Sequence, residues 1–559
     1  MIKALLSSKT KTISLAAFII GISSFISYAL GALRDNLLAN FLPNKLADVY
    51  WAAFRVPDFI YGILITGGIT AAFLPVFSSY FKNSQKQAQD LFRDVFSVFF
   101  IALVGLSFIF FLISPWLVNF TVPGFSTQQK QQTIDLMRIM FLSPVILGLS
   151  AIFSSVLQYL DLFFAFALAP IFYNIGILVG IIVLYPFLGL PGLALGVILG
   201  GLLHLLTQII PAFRAGFKPV FSLQIKEKTG LLRIFKLMVP RTISSAAYQV
   251  NLIVTTAIAS TLTAGSIKIF NLSNNLYCVP IGLIGLSFAS AVFPTLSKSF
   301  AGLLKEKFLE VFSIILSRIV FFILPLSGIL FILRAQVIRL LYGTQFLGSG
   351  YFGWWETRLT ASSFGVLSLS LFAACLVPFL GRAFFALHDT KTPLKIAIFS
   401  IGLNIALAFF FVWLLKTPGF FQNWTVSFLK LKDLTDVSVL GLAIALSLSS
   451  IFQFVFLFCG LKKKIGTLGL AKYKVVFLKM SLGALLASLS SYFCLKVVGY
   501  FLPKLSLALA TSKVAGLFIQ TAVSAFFGAG IYLLLCFLMK MPEPRIIYRY
   551  LCRIKSVIL

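Results

Sequence analysis

Hydrophobic residues along this chain fall in long blocks with few charges, not in the short periodic patterns of soluble helices and strands. An α-helix needs about 20 consecutive apolar residues to cross the hydrocarbon core of a bilayer, which is roughly 30 Å thick. The block from Ile13 to Leu33 has this length and contains no charged residue. It is too long for the core of a signal peptide, and no clear small-residue cleavage site follows it. We therefore predict that it is a membrane span.

About fourteen such blocks occur along the chain, and the segments between them are too short to hold a soluble domain. A helix satisfies its backbone hydrogen bonds within one segment, as a spanning element in lipid requires. The chain is therefore predicted to be an all-α polytopic membrane protein with about 14 transmembrane helices. The predicted spans are residues 13–33, 59–81, 94–118, 135–158, 163–185, 191–213, 237–261, 272–296, 309–333, 360–386, 393–415, 438–461, 477–501 and 514–539.

The charge composition of the chain does not indicate a nucleic-acid partner. Only 11% of the residues are charged, yet the formal net charge is +31. In a soluble protein this charge would suggest nucleic acid. Here most Lys and Arg lie in short loops between spans, as the positive-inside rule predicts, so no nucleic-acid partner is expected. The six Cys have no paired spacing and the two His are far apart, so we expect no disulfide framework, metal site or cofactor.

The distribution of basic residues predicts the orientation. Lys and Arg are concentrated at the N-terminus, in the loops after the predicted sixth and twelfth spans, and in the C-terminal tail. All four regions lie on one side of the membrane if both termini are cytoplasmic. The opposite loops are poorer in basic residues, although Arg334 and Arg339 weaken the contrast. We predict a multi-pass protein of the bacterial cytoplasmic (inner) membrane with both termini inside.

An internal similarity predicts a repeat. The stretch 72–81, which ends the second span, resembles 291–300, which ends the eighth. Six spans separate them, so the two halves would be parallel repeats about an axis along the membrane normal. The alternative is chance similarity between two Phe-rich helix ends. The predicted division is an N-lobe over 1–214, a C-lobe over 215–462, and a terminal helix pair with a basic cytoplasmic tail over 463–559.

The densest group of ionisable residues lies between the first two spans: Arg34, Asp35, Asp48, Arg55 and Asp58. A charge at the centre of a membrane helix costs about 2.5–3.5 kcal/mol on insertion scales, so such residues usually face a partner or a wet cavity. Arg34 has two interpretations. A guanidinium offers bidentate contacts to phosphate, which favours binding of an anionic head group. The alternative is an arginine at a helix end that pairs with Asp35 or Asp48.

A second polar group opens the predicted seventh and eighth spans. Arg241 follows Pro240, and Asn274 and Asn275 start the eighth span. These residues either line a polar cavity or form hydrogen bonds between helices. No P-loop, HExxH or GxSxG pattern is present in the sequence, so the chain is predicted not to be an enzyme. Active transport would then use an ion gradient or the membrane potential.

Several stretches taken together resemble one family. They are Leu30–Asp35 with Ala39, Asp48–Pro57, Ala72–Phe77, Val122–Phe125, Pro294–Lys298 and Arg382–Pro393. Their order and spacing over the first eleven spans are similar to those of the MurJ (MviN) family of lipid II flippases in the MOP exporter superfamily. The resemblance implies two six-helix lobes around a cationic cavity, with two further helices that form a groove for lipid. It implies translocation of lipid-linked peptidoglycan precursor by alternating access.

The resemblance also implies partners and site residues. The partners are a polyprenyl-pyrophosphate-linked glycan, membrane lipids and cell-wall synthesis proteins. Three arginines that the family places in its cavity are replaced here by Tyr28, Tyr61 and Asn275. We hypothesise that Arg241, with Arg34, partly replaces the missing charge. The predicted substrate-binding residues are Arg34, Arg55, Arg241 and Asn275, and the predicted structural or gating residues are Asp35, Asp48, Asp58, Arg382 and Asp389.

Alternative functions remain open from the sequence. One is a flippase for another polyprenyl-linked saccharide. Another is a multidrug exporter of the same superfamily, which should carry a carboxylate inside a span to bind cations. A third, of a different class, is a non-transporting membrane scaffold. No carboxylate lies inside the predicted seventh or eleventh span, so the sodium site that some family members have there is not expected.

Overall fold

The computed structural model describes residues 13–63, 69–222, 224–301, 305–344, 350–466, 474–502 and 513–544. Every regular element within these residues is helical, which confirms the predicted all-α fold class. The chain divides into two compact units. The first comprises Met1–Lys268 with Gln345–Tyr351, and the second comprises Ile269–Thr344 with Phe352–Leu559. The lobe boundaries at 214 and 462 stay predictions.

Twelve numbered helices lie in the first unit. They are α1 (Ile13–Phe41), α2 (Asn44–Ala53), α3 (Arg55–Tyr61), α4 (Thr70–Asn83), α5 (Gln85–Leu112), α6 (Ser114–Thr121), α7 (Thr127–Met140), α8 (Leu142–Tyr159), α9 (Phe163–Val179), α10 (Tyr185–Leu188), α11 (Leu190–Arg214) and α12 (Lys228–Ser260). A π-helical turn, Gly180–Leu184, joins α9 to α10.

The remaining helices begin at residue 266. They are α13 (Ser266–Pro280), α14 (Ser287–Ala301), α15 (Lys305–Leu341), α16 (Trp354–Ala386), α17 (Lys391–Lys416), α18 (Phe420–Phe428), α19 (Leu440–Ile465), α20 (Lys474–Phe501) and α21 (Lys513–Leu538). A second π-helical turn, Ile281–Leu286, joins α13 to α14.

Eleven helical segments among the described residues are long and apolar enough to cross a membrane. They coincide with eleven of the predicted spans. The other three predicted spans fall on α1, on the α3–α4 region, which contains the undescribed residues 64–68, and on α12. The chain is thus a multi-pass membrane protein, and the count of about 14 spans stays a prediction.

The core of the first unit is rich in aromatic rings from α4, α5 and α8. The ring centroid of Phe77 lies 5.4 Å from that of Phe217 and 5.4 Å from that of Tyr159. Phe92 contacts Phe153 at 5.3 Å. Tilted and edge-on pairs at these separations add to the stabilisation by burial. This packing holds α8 in place, and α8 contributes to the cavity described below.

Glycines let α9 and α11 approach each other closely. A Cβ added at Gly180 would lie 2.5 Å from the Cα of Gly196, and the backbones of Gly176 and Gly200 are similarly close. Small residues at a crossing allow helices in lipid to pack backbone against backbone. The close crossing fixes the spacing of α9 and α11, which carry Tyr173 and His204.

The core of the second unit lies among α14, α15, α16 and α19. The rings of Phe312 and Phe379 stack with centroids 5.1 Å apart. The two C-terminal helices, α20 and α21, pack on α15, where Phe321 contacts Tyr532 at 5.2 Å. The terminal pair therefore shares a hydrophobic interface with α15.

Candidate functional site

Arg34 lies inside α1, because this helix continues to Phe41 beyond the predicted span end at residue 33. Its Nε and Nη2 donate to Asp35 Oδ1 at 2.9 and 2.8 Å. Its Nη1 donates to Asn174 Oδ1 at 3.3 Å. These bonds use three of the five N–H donors of the guanidinium, so two remain for a ligand. The Arg34 side chain is 23% exposed, so a ligand has access to it.

Asn174, which the sequence analysis did not select, orients this arginine. Its Nδ2 donates to the Pro170 carbonyl oxygen at 3.0 Å and to Ser27 Oγ at 3.1 Å. Because its amide nitrogen is held on that side, its oxygen faces Arg34. The signal that was available is an amide inside the apolar block 163–185, where a polar group usually has a specific partner.

Asp48 is buried on α2 and binds backbone amides. Its Oδ2 accepts from Gly265 N at 2.6 Å and its Oδ1 accepts from Lys268 N at 2.8 Å. A carboxylate at this position satisfies N–H groups that have no partner within a helix, at the start of α13. Lys268 is fully buried, and its Nζ donates to the Ala39 carbonyl oxygen at 2.8 Å and to Asn44 Oδ1 at 3.1 Å. These bonds connect α2 to the main-chain amides of residues 265 and 268, and the structural or gating role of Asp48 stays a prediction.

Arg55 begins α3 and is also buried. Its Nε donates to Thr256 Oγ1 at 2.7 Å, which links α3 to α12. The sequence analysis grouped Arg55 with the substrate-binding residues. The structure places it against a neighbouring helix, where it holds the start of α3.

Asp58, one turn further along α3, lines a cavity of about 300 Å³ in the first unit. Tyr61 from α3, Tyr173 from α9 and His204 from α11 line the same cavity. His204 Nδ1 lies 2.8 Å from Ser150 Oγ. The cavity therefore collects titratable groups from three helices, and one of them is Tyr61, where the family resemblance places an arginine.

The remaining predicted residues of the second unit lie on α13, on α16 and in the loop after α16. Asn275 is half-buried on α13. The Arg382 guanidinium carbon lies 5.3 Å from the ring centroid of Phe293, a cation–π geometry. Asp389, in the loop, accepts from Lys464 Nζ at 2.7 Å and from Thr392 N at 3.0 Å. Burial alone would raise the pKa of Asp389, but the bonds from Lys464 and Thr392 outweigh it and lower the pKa to about 2.

Arg241, a predicted substrate-binding residue, and Tyr28, which replaces an arginine of the family pattern, lie outside the groups described above. Arg241 lies on α12, and its side chain is outside the part of the chain that the structure describes. Tyr28 lies on α1 and is 43% exposed. No group of three or more His, Cys, Asp or Glu residues that could hold a metal ion occurs among the described residues.

Comparison with known proteins gives consistent matches over most of the chain. The family profile described as lipid II flippase MurJ matches residues 39–512. A probable lipid II flippase MurJ of Buchnera aphidicola subsp. Schizaphis graminum is 26% identical over 517 residues, which cover 90% of this chain and 93% of that protein. The corresponding protein of Buchnera aphidicola subsp. Acyrthosiphon pisum is 29% identical over 408 residues, which cover 72% of this chain and 78% of that protein.

Solved structures share the fold. A lipid II flippase MurJ in an inward closed conformation has a TM-score of 0.70 at 21% identity, and the match covers 96% of this chain and all of that one. An inward-facing multidrug resistance MATE family transporter of the MOP superfamily has a TM-score of 0.63 at 15% identity, with 79% of this chain and 95% of that one covered. At these identities the likeness is one of fold.

Proposed function

Because the chain belongs to the MurJ family of lipid II flippases, we propose that it translocates lipid II, a lipid-linked peptidoglycan precursor, across the bacterial inner membrane. The observation that carries this proposal is the family match over residues 39–512, which extends from the end of α1 nearly to α21. The chain is accordingly a transporter of a lipid-linked substrate and not a catalyst of a covalent reaction. Translocation proceeds by alternating access, with the polyprenyl tail in lipid while the polar head crosses inside the protein.

Arg34 is the residue whose surroundings best support contact with the diphosphate of such a substrate. Its guanidinium keeps two N–H donors free of the bonds to Asp35 and Asn174. A guanidinium that neighbours already hold in place loses less conformational entropy when it binds an anion. Paired donors also suit phosphate oxygens in a bidentate geometry. We therefore assign the diphosphate contact to Arg34.

The other site residues take supporting roles in this proposal. Arg241 and Asn275 remain proposed substrate contacts. The burial of Arg55 and its bond to Thr256 support a positioning role at the start of α3. Asp35 orients Arg34, while Asp48 and Asp389 fix helix ends through hydrogen bonds to main-chain amides. Arg382 is proposed as a structural or gating residue.

Complementation tests the proposed function directly. Cells depleted of their own lipid II flippase are given this chain, and lipid II exposed on the cytoplasmic face is measured. We expect this chain to prevent its accumulation and to restore growth. An inactive but stably expressed chain would contradict the proposal and favour a flippase for another polyprenyl-linked saccharide. Cell-wall synthesis proteins are proposed as partners, and their co-purification from complemented cells tests that part.

A further inference from the structure

Arg334 on α15 is a cation without a counter-charge in the described part of the chain. No carboxylate among the described residues lies within ion-pair distance of it, whereas Arg34, Arg93 and Arg358 each pair with an aspartate. Arg334 belongs to the segment Glu306–Leu341, which is long and apolar enough to cross a membrane. Charged side chains in such segments usually have a specific partner, so the partner of Arg334 is expected to come from outside the chain.

The Arg334 side chain turns back along α15 toward the middle of the helix. Its Nη1 donates to the Phe331 carbonyl oxygen at 2.8 Å, and its guanidinium carbon lies 4.8 Å from the centroid of the Phe331 ring. An arginine that reaches for bulk water would instead extend toward the nearby helix end at Leu341. The guanidinium is therefore directed toward the membrane interior, where water is scarce and an anionic group of a lipid is the available partner.

Packing against α16 leaves most of the guanidinium donors available to a ligand. A Cβ added at Gly365 would lie 2.4 Å from Arg334 Cδ, so the glycine makes room for the arginine stem. The bond to the Phe331 carbonyl uses one of the five N–H donors. Nε and Nη2 make no hydrogen bond to described residues and are not among the fully buried atoms. A guanidinium that is held in place with four free donors suits the acceptor oxygens of a phosphate group.

An apolar surface continues from this guanidinium along α16. Helices α15 and α16 run antiparallel, because Phe312 stacks on Phe379 near their other ends. Leu369 lies one helical turn beyond Gly365 on the same face of α16, and it is 52% exposed. That turn of α16 lies beside the turn of α15 that carries Phe331. A phosphate on the guanidinium would thus have an apolar surface next to it on the side of the membrane interior.

We propose that the surface between α15 and α16 binds a glycerophospholipid, with the phosphodiester of the lipid on the Arg334 guanidinium. The phosphate oxygens accept hydrogen bonds from Nε and Nη2, and the phosphate charge balances that of the arginine. One acyl chain packs along Phe331 and Leu369 toward the middle of the membrane. The site lies in the second unit, shares no residue with the Arg34 site and does not depend on lipid II translocation.

Photo-crosslinking of the whole chain in lipid nanodiscs tests this site. The probes are a phosphatidylglycerol and a diacylglycerol that carry the same diazirine in one acyl chain. Peptide mass spectrometry measures the labelling of α16 around Leu369, normalised to the labelling of α5 around Phe108, another exposed apolar residue. We expect phosphatidylglycerol to label α16 at least about tenfold more than diacylglycerol, because charge-assisted hydrogen bonds hold its phosphate at the guanidinium.

Variants of the arginine and of its packing partner test the assignment. Arg334→Gln should abolish the preference for phosphatidylglycerol, and Arg334→Lys, which keeps the charge without the planar donor geometry, should retain part of it. Gly365→Ala keeps the arginine but displaces its stem, so it should also lower the preference. Arg339→Gln is the matched control, because Arg339 is an exposed arginine of the same helix, and it should keep the full preference.

Equal labelling of the unmodified chain by the two probes would overturn the proposal. A preference that survives Arg334→Gln, or one that Arg339→Gln also removes, would do the same. Excess inorganic diphosphate should leave the labelling unchanged, and its loss would assign the guanidinium to a free anion in place of a lipid. The comparison of the two probes needs no variant, so a variant that misfolds does not remove the test. A negative result leaves the complementation assay for lipid II unaffected.

Discussion

Arg34 and Asp35 are neighbours in one helix, and each provides a large part of the other's hydrogen bonding. Because Asp35 accepts two of its hydrogen bonds, Arg34 can lie inside α1 without an ion-pair partner one helix turn away. Asn174 adds a neutral third partner from α9, so the guanidinium is held on two sides. The result is a cation with a fixed direction and two N–H groups to spare, which suits recognition of a planar or tetrahedral oxyanion.

Replacement of Arg34 tests whether these donors matter. Arg34→Ala should lower lipid II translocation at least about tenfold, because both the charge and the bidentate contact are lost. Arg34→Lys keeps the charge but loses the bidentate donor geometry of the guanidinium. Its activity should therefore fall between that of Arg34→Ala and that of the unmodified chain. The measurement is the fraction of lipid II left on the cytoplasmic face of complemented cells. Arg233→Ala removes an exposed arginine of α12 and should leave activity unchanged; equal activity of Arg34→Ala and the unmodified chain would refute the assignment.

The lowered pKa of Asp389 predicts that the stability of the folded protein decreases in acid solution. Its pKa is lowered to about 2, below the ordinary value near 3.9, because bonds from Lys464 and Thr392 outweigh the effect of burial. Its contribution to stability is therefore complete above about pH 4 and is lost as the pH falls toward 2. Thermal unfolding of the unmodified chain at pH 5 and pH 3 should show a larger loss of melting temperature than the same comparison for Asp389→Asn. Identical losses in the two proteins would contradict this origin.

Helices α9 and α11 depend on glycine at their crossing. The Cα of Gly196 would lie 2.5 Å from a Cβ at position 180, so an added methyl group must push the helices apart. The separation of these helices sets the position of Tyr173 and His204, and so the width of the cavity between them. The small residues at this crossing therefore affect the cavity that Tyr173 and His204 line on the same two helices.

Gly180→Ala tests this connection. Overpacking should lower the free energy of unfolding by about 1–3 kcal/mol and lower the melting temperature of the purified chain. Gly105→Ala is the matched control on α5, because nothing lies within 4 Å of a Cβ at that position. It should be neutral or slightly stabilising, since alanine favours a helix more than glycine does. Equal melting temperatures for Gly180→Ala and Gly105→Ala would show that the crossing tolerates separation.

At the scale of the whole molecule, an even number of spans places both termini on the same side of the membrane. About fourteen spans and the basic loops predict that this side is the cytoplasm. A reporter that fluoresces only in the cytoplasm, fused in turn to each end of the chain, should be active in both fusions. A fusion after residue 190, between the predicted fifth and sixth spans, should be inactive. One active and one inactive terminal fusion would require an odd span count and contradict the prediction.

The sequence by itself determined the helical elements and the class of protein. A helix in lipid must bond its own backbone, so each span is a local property that a window of about 20 residues records. The predicted spans coincide with all eleven apolar helices found among the described residues. The motif stretches are also short, local segments of the sequence, so they were sufficient to indicate the family.

Only the tertiary structure decided which of the charged residues meet a partner. Arg34 pairs with Asp35 but also with Asn174, and Arg55 bonds to Thr256 on a helix far along the chain. Asp58 interacts electrostatically with Arg55 and Arg34 and lines a cavity in the first unit. Hydropathy and motif spacing carry no information about these pairings, because they depend on which helix faces pack together. That packing is set by close crossings such as the one between Gly180 and Gly196, and not by any single segment of the sequence.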